Sequence, residues 1–465
     1  MYFEQFYLGC LAHASYLLAS GGEGVVVDPQ RDVELYLKAA EEHGVTIRHI
    51  FESHLHADFV SGHKELASRT GATIYMGAQA GATFPHVPVS DGFELKFGQA
   101  SIRVLETPGH TAESICLVVT DREKSPAPWA VLTGDTLFIG DVGRPDLSPR
   151  HTPVELAGLL YHSLHHKLLT LADSVLVYPA HGAGSLCGKN MRAERSSTIG
   201  TERLTNYALQ IKSREEFVAQ VTSNLPARPE YFLKDAEINR TGAAALGDLP
   251  PLRAITPAEL KSAGEIALDV RPGEEFAAGH VPGSVNIALS GQFASWAGTV
   301  LGLTAHPVLI AGLDDEASEA QLDEARLRLT RVGIEVLRGY LAGGVAAWKQ
   351  AGFPLATISQ VAADELSARL KSHDVQVLDV RREREWDAGH IEDAVWWPLD
   401  NFKVSPPEIG HDATIAVHCK GGYRSMIACS LLQRAGFKNV INVIGGLDAW
   451  QQAKLPVVSA KPVGV

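Results

Sequence analysis

The stretch ESHLHADFVSGH (residues 52–63) decides the fold of the N-terminal half of the chain. It holds three histidines and an aspartate within ten residues, and it follows the apolar run IRHIF. That run predicts a β-strand, so the polar side chains are expected in a loop at the end of the strand, where functional groups usually lie. Imidazole and carboxylate groups are typical ligands of transition metals. The sequence therefore predicts a metal site at the edge of a sheet.

The same arrangement occurs at further strands. SIRVLETPGH (101–110), AVLTGDTLF (130–138) and SVLVYPAH (174–181) are apolar runs that each end in a short loop with a His or an Asp. Strand ends from sheets that face one another can converge on one point. A single histidine usually makes only a hydrogen bond, but this set of motifs predicts a metal centre. The candidate ligands are His54, His56, Asp58, His63, His110, Asp135 and His181.

Composition excludes several functions. A length of 465 residues predicts about three domains, and a composition of 45% hydrophobic and 20% charged residues is that of a globular protein. A net charge of −13 argues against nucleic acid or an anionic membrane as the main partner. The five scattered cysteines indicate a reducing cytoplasm, and the N-terminus lacks the basic region of a signal peptide.

The second half contains an internal repeat. IALDVRPGEEFAAGHVPGSVNIAL (266–289) matches VLDVRREREWDAGHIEDAVWWPL (377–399), and YLAGGVAAW (340–348) matches VIGGLDAW (443–450). Each copy spans roughly a hundred residues, which predicts two similar α/β domains in tandem. The polar, Pro-containing stretch 224–251 predicts a linker before the first copy.

The second copy carries a reactive cysteine in IAVHCKGGYRS (415–425). An apolar strand ends at Cys419, and a six-residue loop with two glycines leads into a helical run. Backbone N–H groups of such a loop, with the helix N-terminus, favour a thiolate. We predict Cys419 as a sulfur-carrying nucleophile and Arg424 as the group that binds an anionic donor or acceptor. The rest of the predicted binding loop is Gly421, Gly422, Tyr423 and Ser425.

The first copy lacks this cysteine. In PVLIAGLDDEASE (307–319), the sequence places Gly312 at the cysteine position. The acidic residues that follow, Asp314, Asp315 and Glu316, would repel a sulfur anion. An inactive copy is therefore expected, with a role in packing or assembly.

The first part of the chain resembles the metallo-β-lactamase fold, and within that superfamily it resembles persulfide dioxygenases more than hydrolases. The motifs that carry the resemblance are HLHAD (54–58), TPGHT (107–111), TGD (133–135), GRPDL (143–147) and YPAHG (178–182). The resemblance implies an α/β fold of the αββα sandwich type. It also implies a mononuclear Fe(II) centre held by His54, His110 and Asp135.

Further residues around this centre follow from the same resemblance. His56, Asp58 and His181 would orient the ligands or belong to a second site. Independently of the resemblance, His63 is either a further ligand or a histidine on a helix face, and we expect the helix face.

Two residues have alternative roles. Arg144, in GRPDL, would bind the anionic part of a substrate, since a guanidinium can hold a carboxylate by two parallel hydrogen bonds; a structural role is the alternative. Cys187, with glycines on both sides, is expected to be accessible and either to relay sulfur or to line the pocket.

The repeats resemble rhodanese domains, which are doubly wound α/β domains, on their DVR and AGH motifs and the GGLDAW close. The related loop of tyrosine phosphatases is one residue longer, so the loop length favours sulfur transfer over phosphate chemistry. The predicted domains are 1–245, with the metal centre; 252–355, a rhodanese-like domain without the catalytic cysteine; and 358–465, a rhodanese domain with it.

Phe59 distinguishes two metal chemistries. Many two-metal hydrolases of the superfamily have a histidine directly after the aspartate, as HxHxDH, where this chain has Phe59. Because a two-metal hydrolase needs a complete second set of ligands to form its nucleophile, the change favours one iron that binds a thiolate-type substrate and O2 together.

The combined prediction is iron-dependent oxidation of a low-molecular-weight thiol persulfide by O2 to sulfite and thiol. Rhodanese sulfur transfer would form or use thiosulfate, in sulfide detoxification. A self-associating cytoplasmic enzyme is expected. The alternatives are a zinc-dependent, glyoxalase II-like thioester hydrolase with rhodanese domains, and a non-enzymatic sulfur sensor or scaffold.

Overall fold

In the computed structural model the chain divides into one unit formed by Met1–Leu249 with Thr330–Gly333, and a second unit that takes the rest of the chain from Pro250 onward. The structure describes residues 1–223, 225, 227–312, 316–402 and 407–459, without the side chains of 316 and 317. Among the described residues, no helix combines the length and the apolar character needed to cross a membrane.

The described part of the first unit contains two six-stranded sheets. The first sheet follows chain order: β1 (Tyr2–Leu8), β2 (His13–Ser20), β3 (Glu23–Val27), β4 (Thr46–Glu52), β5 (Thr73–Gly77) and β6 (Val87–Val89). The later strands are β7 (Glu94–Phe97), β8 (Ala100–Glu106), β9 (Ile115–Asp121), β10 (Ala130–Gly134), β11 (Leu137–Phe138), β12 (Asp141–Val142), β13 (Leu176–Pro179) and β14 (Ser197–Thr198). The second sheet has the order β14-β13-β10-β9-β8-β7, and β11 pairs with β12.

The described part of this unit has seven α-helices, of which the first six pack on the outer faces of the sheets. They are α1 (Glu34–Glu42), α2 (His63–Thr70), α3 (Pro153–His166), α4 (Ile199–Thr205), α5 (Tyr207–Gln210), α6 (Arg214–Thr222) and α7 (Tyr231–Thr241). Alternate residues of a strand point to opposite faces. Leu18 accordingly packs between the sheets with Ile102, whereas its neighbour Leu17 packs against Tyr36 of α1. Val118 of the second sheet packs against Leu160 of α3. This confirms the predicted αββα sandwich.

The candidate ligands lie just beyond strand ends. His54 follows β4, His110 follows β8, Asp135 follows β10 and His181 follows β13. The sheets therefore bring residues that are distant in sequence to one edge of the sandwich.

The predicted linker is wrong over the residues of α7. This helix is fixed to the first unit by Tyr231, Phe232 and Asn239, each at most 2% exposed. Its apolar residues are interspersed with charged ones, which made the stretch resemble a polar connection.

The second unit contains the two repeats. The first has β15 (Ala254–Ile255), α8 (Pro257–Ala263), β16 (Ala267–Asp269), α9 (Gly273–Ala278), β17 (Val285–Asn286), α10 (Phe293–Val300), β18 (Val308–Ile310), α11 (Glu316–Thr330), β19 (Gly339–Leu341) and α12 (Gly344–Gln350). The second has β20 (Ser359–Val361), α13 (Ala363–Lys371), β21 (Gln376–Asp379), α14 (Glu383–Ala388), β22 (Val395–Trp396), β23 (Thr414–His418), α15 (Tyr423–Arg434), β24 (Asn439–Val443) and α16 (Gly446–Gln452).

Both repeats share one topology. Their parallel sheets have the orders β15-β19-β18-β16-β17 and β20-β24-β23-β21-β22, so corresponding strands occupy corresponding places. This confirms the predicted tandem of doubly wound domains.

The register of the sheets corrects one predicted equivalence. Asp379 pairs with His418, the residue before Cys419, and Asp269 pairs with Ile310. The cysteine position of the first repeat is therefore Ala311, and the assignment to Gly312 is wrong by one residue. The conclusion that this copy lacks the cysteine is unchanged. Asp314 and Asp315 and the side chain of Glu316 lie outside the described residues.

Candidate metal centre and cysteine loop

His54, His110 and Asp135 converge at the sandwich edge. The Nε2 atoms of His54 and His110 lie 3.8 and 3.4 Å from Oδ2 of Asp135. All three residues are at most 2% exposed, and these facing atoms have no hydrogen-bond partner within the described part of the chain. Buried lone pairs that face one another in this way are costly unless a cation binds them, so the donor set fits a metal ion.

Neighbouring groups orient the imidazole rings of His54 and His110 and leave their Nε2 atoms available to bind a metal. The backbone carbonyl of Arg144 accepts a hydrogen bond from Nδ1 of His110 at 2.9 Å, which leaves the Nε2 lone pair facing Asp135. Ser53 Oγ lies 3.0 Å from Nδ1 of His54. Burial lowers the pKa of His54 well below its usual value, and it also lowers the pKa of His110 against the opposing effect of Asp135. Neutral imidazole is the form that binds metals.

His56, Asp58 and His181 form a second group, whose potential ligand atoms lie within 4.8 Å of one another. Nε2 of His181 is 3.3 Å from Oδ1 of Asp58. Although burial lowers the pKa of His181, the carboxylates of Asp135 and Asp58 raise it to about 9. The imidazolium of His181 in turn lowers the pKa of Asp58 against the effect of burial. His181 and Asp58 are therefore a charged pair beside the first group.

Two carboxylates that the sequence analysis missed hold His56. Its Nε2 lies 3.1 Å from Asp28 Oδ1 and 3.5 Å from Glu52 Oε2. Asp28 also accepts the Ser53 N–H at 2.6 Å, next to His54. Asp28 ends the apolar run GVVVD, the same strand-end signal as the other motifs, and Glu52 opens the motif itself.

His63 begins α2 as expected, but its ring is buried. Nδ1 of His63 lies 3.3 Å from Oε1 of Glu52, and Ser61 Oγ donates to the same carboxylate at 2.7 Å. His63 thus belongs to the network around Glu52 and not to the group of His54, His110 and Asp135.

Phe59 places a phenyl ring beside the second group. It is 1% exposed, and its ring centre lies 4.4 Å from that of His56 and 4.0 Å from that of His13. His13, which opens β2, is fully buried and was not predicted. The Phe59 ring thus forms an aromatic wall on this side of the site, and it offers no atom that could bind a metal.

Asn239 of α7 holds the loop that carries Asp58. Its Oδ1 accepts the Ser61 N–H at 2.8 Å, and its Nδ2 donates to the carbonyls of His56 and Phe59 at 2.8 and 2.7 Å. No local sequence signal indicates this role, because Asn239 lies in the stretch predicted as a linker.

Arg144 is 3% exposed, and its guanidinium is engaged. It donates to both carboxylate oxygens of Asp146 at 2.6 and 2.8 Å and to the carbonyl of Leu186 at 3.2 Å. The two parallel hydrogen bonds expected with a substrate are made here with Asp146.

The predicted accessibility of Cys187 is wrong, since the residue is 1% exposed. Its flanking Gly188 permits close packing, as an added Cβ would lie 3.0 Å from Asp141 Oδ2. The sulfur belongs to a group with Asp135 and His181 whose atoms lie within 4.8 Å. Burial, and then the carboxylates of Asp58 and Asp135, raise the pKa of Cys187 well above its usual value, so it is a protonated thiol in the wall of the site.

In the second repeat, Cys419 lies directly after β23 and α15 begins at Tyr423. The Gly422 N–H donates to the Cys419 sulfur at 3.1 Å, with Gly422 at a φ of +101°, a conformation that favours glycine. Ser425 Oγ lies 3.8 Å from the sulfur and donates to Oδ1 of Asn442 at 2.7 Å. A Cβ added at Gly421 would have its nearest neighbour 3.9 Å away, so the loop is open there.

Arg424 makes a two-fold ion pair with Glu385, with N···O distances of 2.6 Å for both bonds. Although burial raises the pKa of Glu385, the guanidinium lowers it below the usual glutamate value. An anionic substrate that binds Arg424 must therefore compete with Glu385. The hydroxyl of Tyr423 donates to the carbonyl of Ala288 in the first repeat at 2.9 Å.

Known proteins share each part of this architecture. Residues 8–181 match the metallo-beta-lactamase superfamily model, and residues 256–351 and 362–453 match the rhodanese-like domain model. The persulfide dioxygenase ETHE1, mitochondrial, of Bos taurus is 30% identical over 220 residues, which cover 46% of this chain and 77% of the relative.

Two further relatives extend the likeness. A sulfurtransferase of Allochromatium vinosum is 33% identical over 103 residues, 22% of this chain and 96% of the relative. A crystal structure of a metallo-β-lactamase from Staphylococcus aureus subsp. aureus COL superposes with a TM-score of 0.66 at 31% identity, over 73% of this chain and 98% of that chain. The chain therefore belongs to the metallo-β-lactamase superfamily, as a fusion of a persulfide dioxygenase homologue with two C-terminal rhodanese-like domains.

Proposed function

We propose that this protein oxidises the persulfide of a low-molecular-weight thiol with O2 and couples that reaction to sulfur transfer by Cys419. The observation that carries the proposal is the buried set of His54, His110 and Asp135, whose unpartnered atoms face one another. Two neutral imidazoles and one carboxylate are the donor set of mononuclear non-haem Fe(II) oxygenases.

The proposed iron would be held by these three residues and would supply adjacent binding positions for the persulfide sulfur and O2. The chain itself fixes the ligands. The Arg144 carbonyl orients His110, Asp28 holds the backbone beside His54, and Asn239 holds the loop from His56 to Ser61. The three proposed ligands are buried, and the buried Phe59 ring lies beside the neighbouring His56.

The proposed reaction balances as R–S–SH + O2 + H2O giving R–SH, sulfite and two protons. The persulfide loses four electrons overall, and the two oxygen atoms of O2 gain them. Nε2 of His181, which is paired with Asp58, lies 3.8 Å from Oδ1 of Asp135. From this position the pair can accept or donate one of these protons.

Sulfite is the species that links the two domains chemically. A persulfide on Cys419 can transfer its outer sulfur to sulfite, which gives thiosulfate and the free thiolate. In the reverse direction thiosulfate loads the cysteine and releases sulfite. Arg424 would bind either anion after release from Glu385, and the Gly422 N–H stabilises the thiolate.

A zinc-dependent thioester hydrolase of the glyoxalase II type is the second candidate. The observation that favours it is the group of His56, Asp58 and His181, which would offer three donors to a second metal. Two features oppose it. Phe59 contributes no ligand, and Nε2 of His56 is already directed at Asp28 and Glu52.

One experiment separates the candidates. Protein purified without oxygen is analysed for metals, and oxygen uptake is measured with glutathione persulfide, with S-lactoylglutathione hydrolysis as the comparison. We expect about one iron per chain and persulfide-dependent uptake that His54→Ala abolishes and Cys419→Ser leaves intact. Two zinc ions per chain with thioester hydrolysis would contradict the proposal. Absence of both activities would favour the sulfur sensor.

A further inference from the structure

Helix α15, which begins inside the cysteine loop, has one face against the repeat that lacks the cysteine. The Asn286 N–H donates to Ser430 Oγ at 3.1 Å, and His280 Nε2 lies 3.0 Å from Gln433 Oε1. Residues three or four apart share a helix face. The contacting residues follow that spacing: Tyr423, Met426, Ser430, Gln433 and Arg434. The contact is a continuous stripe along the helix.

The stripe begins at the loop, with Tyr423. Its hydroxyl donates to the Ala288 carbonyl, and its ring lies over Gly291, where an added Cβ would come within 3.4 Å of the ring. Gly291 has a φ of +69°. We call residues 288–291 the brace segment. It contacts the cysteine loop of the other repeat through both the hydroxyl and the ring of Tyr423.

The brace segment is itself held from behind. Arg328 of α11 donates to the Leu289 carbonyl and, at 2.8 Å, to the Gly291 carbonyl, and it lies over the Phe293 ring at 5.3 Å. Arg328 is 6% exposed. Helix α11 is the equivalent of α15, the helix that follows the cysteine loop in the second repeat. In the first repeat, which has no such cysteine, this helix holds the brace segment that contacts Tyr423.

Tyr423 is bonded directly to Gly422, whose N–H donates to the Cys419 sulfur. The two residues share the Gly422–Tyr423 peptide, so a displacement of Tyr423 moves the Gly422 Cα. That atom also carries the preceding peptide nitrogen, and its movement changes the direction of the Gly422 N–H. We propose that the cysteine-less repeat is a positioning partner of the cysteine loop: its brace segment holds Tyr423 and keeps the Gly422 N–H directed at Cys419. This inference rests on the proposed sulfur transfer.

The test uses the full chain and the conversion of thiosulfate and cyanide to sulfite and thiocyanate. Gly291→Asn enlarges the brace against Tyr423, and asparagine tolerates a positive φ. Gly264→Asn is the matched control, since Gly264 has a φ of +63° and no atom within 4 Å of an added Cβ. Tyr423→Phe removes only the hydroxyl.

We expect kcat to fall about fivefold in Gly291→Asn and in Tyr423→Phe, the equivalent of one ordinary hydrogen bond. The KM for thiosulfate should stay within about twofold, because Arg424 and Glu385 both belong to the second repeat. Gly264→Asn should match the unmodified chain. Equal kcat in all variants, or an equal loss in both asparagine variants together with a lower melting temperature, would overturn the inference.

Alkylation of Cys419 by iodoacetamide, followed by mass spectrometry of its peptide, separates this inference from the proposed function. The pH profile of alkylation should move to higher pH in Gly291→Asn and Tyr423→Phe, and stay in place in Gly264→Asn. If the unmodified chain forms no thiocyanate, sulfur transfer fails as a function, while the profile still decides whether the brace segment positions the thiol. An unmoved profile would refute the positioning role.

Discussion

Asn239→Ala removes the clamp on the loop from His56 to Ser61. Asn239 is 1% exposed, and its amide makes one hydrogen bond to each of Ser61, His56 and Phe59. Alanine leaves one N–H and two carbonyl groups without partners in a buried place. At about 1 kcal/mol for each hydrogen bond, we expect a loss of about 3 kcal/mol in the free energy of unfolding.

The larger effect should fall on the metal. Residues that orient ligands without touching a metal typically change its affinity by about 10- to 100-fold, and Asn239 holds the loop between the proposed ligand His54 and helix α2. The assay is anaerobic competition with a chelator, measured alongside urea denaturation and persulfide-dependent oxygen uptake.

Ile102→Ala is the control for stability. Ile102 is fully buried between the sheets and belongs to a different part of the domain from the loop of His56 to Ser61. Its truncation should lower the free energy of unfolding by about 2–5 kcal/mol. Asn239→Ala should therefore bind the metal more weakly than Ile102→Ala at similar stability. Equal metal affinity in the two variants would refute the reasoning.

The other predictions concern single side chains. Phe59→His should raise metal content toward two ions per chain and lower persulfide-dependent oxygen uptake; unchanged metal content would contradict the role given to Phe59. Glu385→Gln should lower the KM for thiosulfate about fivefold by freeing Arg424, as steady-state kinetics would show. Because the folded-state pKa of Glu385 is lowered, its pairing stabilises the fold above the ordinary glutamate pKa of about 4.3 and is lost as the pH falls through the folded value. The melting temperature should thus drop more on acidification for the unmodified chain than for Glu385→Gln. Cys187→Ser should leave oxygen uptake within about twofold, and alkylation of Cys187 should be slow at neutral pH and faster in base, since the pKa of its thiol is raised; rapid alkylation at neutral pH would show that the thiol is reactive.

The sequence predicted the sandwich and the tandem repeat because both depend on local patterns. Apolar runs mark strands, and a His or Asp after such a run marks the sheet edge, as for His110 and Asp135. The helix after Cys419 was equally visible from its glycine loop. The roles of the site residues, the domain boundaries, the cytoplasmic location and self-association stay predictions.

What the sequence concealed depends on partners that are distant along the chain. Asn239 belongs to no recognisable sequence motif. It has its role because α7 packs beside the loop from His56 to Ser61. Cys187 is flanked by glycines, a local pattern that suits close packing as well as exposure. The position equivalent to Cys419 was assigned to Gly312, one residue too late. Only the pairing of Asp269 with Ile310 fixes the register and identifies Ala311.

The clamp of Asn239 on the His56 carbonyl spans 183 residues. A nascent chain therefore cannot complete this loop when His54 leaves the ribosome; at about 5–20 residues per second, roughly 10–40 s of further synthesis must pass before α7 emerges. Until then the loop lacks this clamp, so the proposed metal site can reach its final form only after a helix that donates no ligand of its own has been translated.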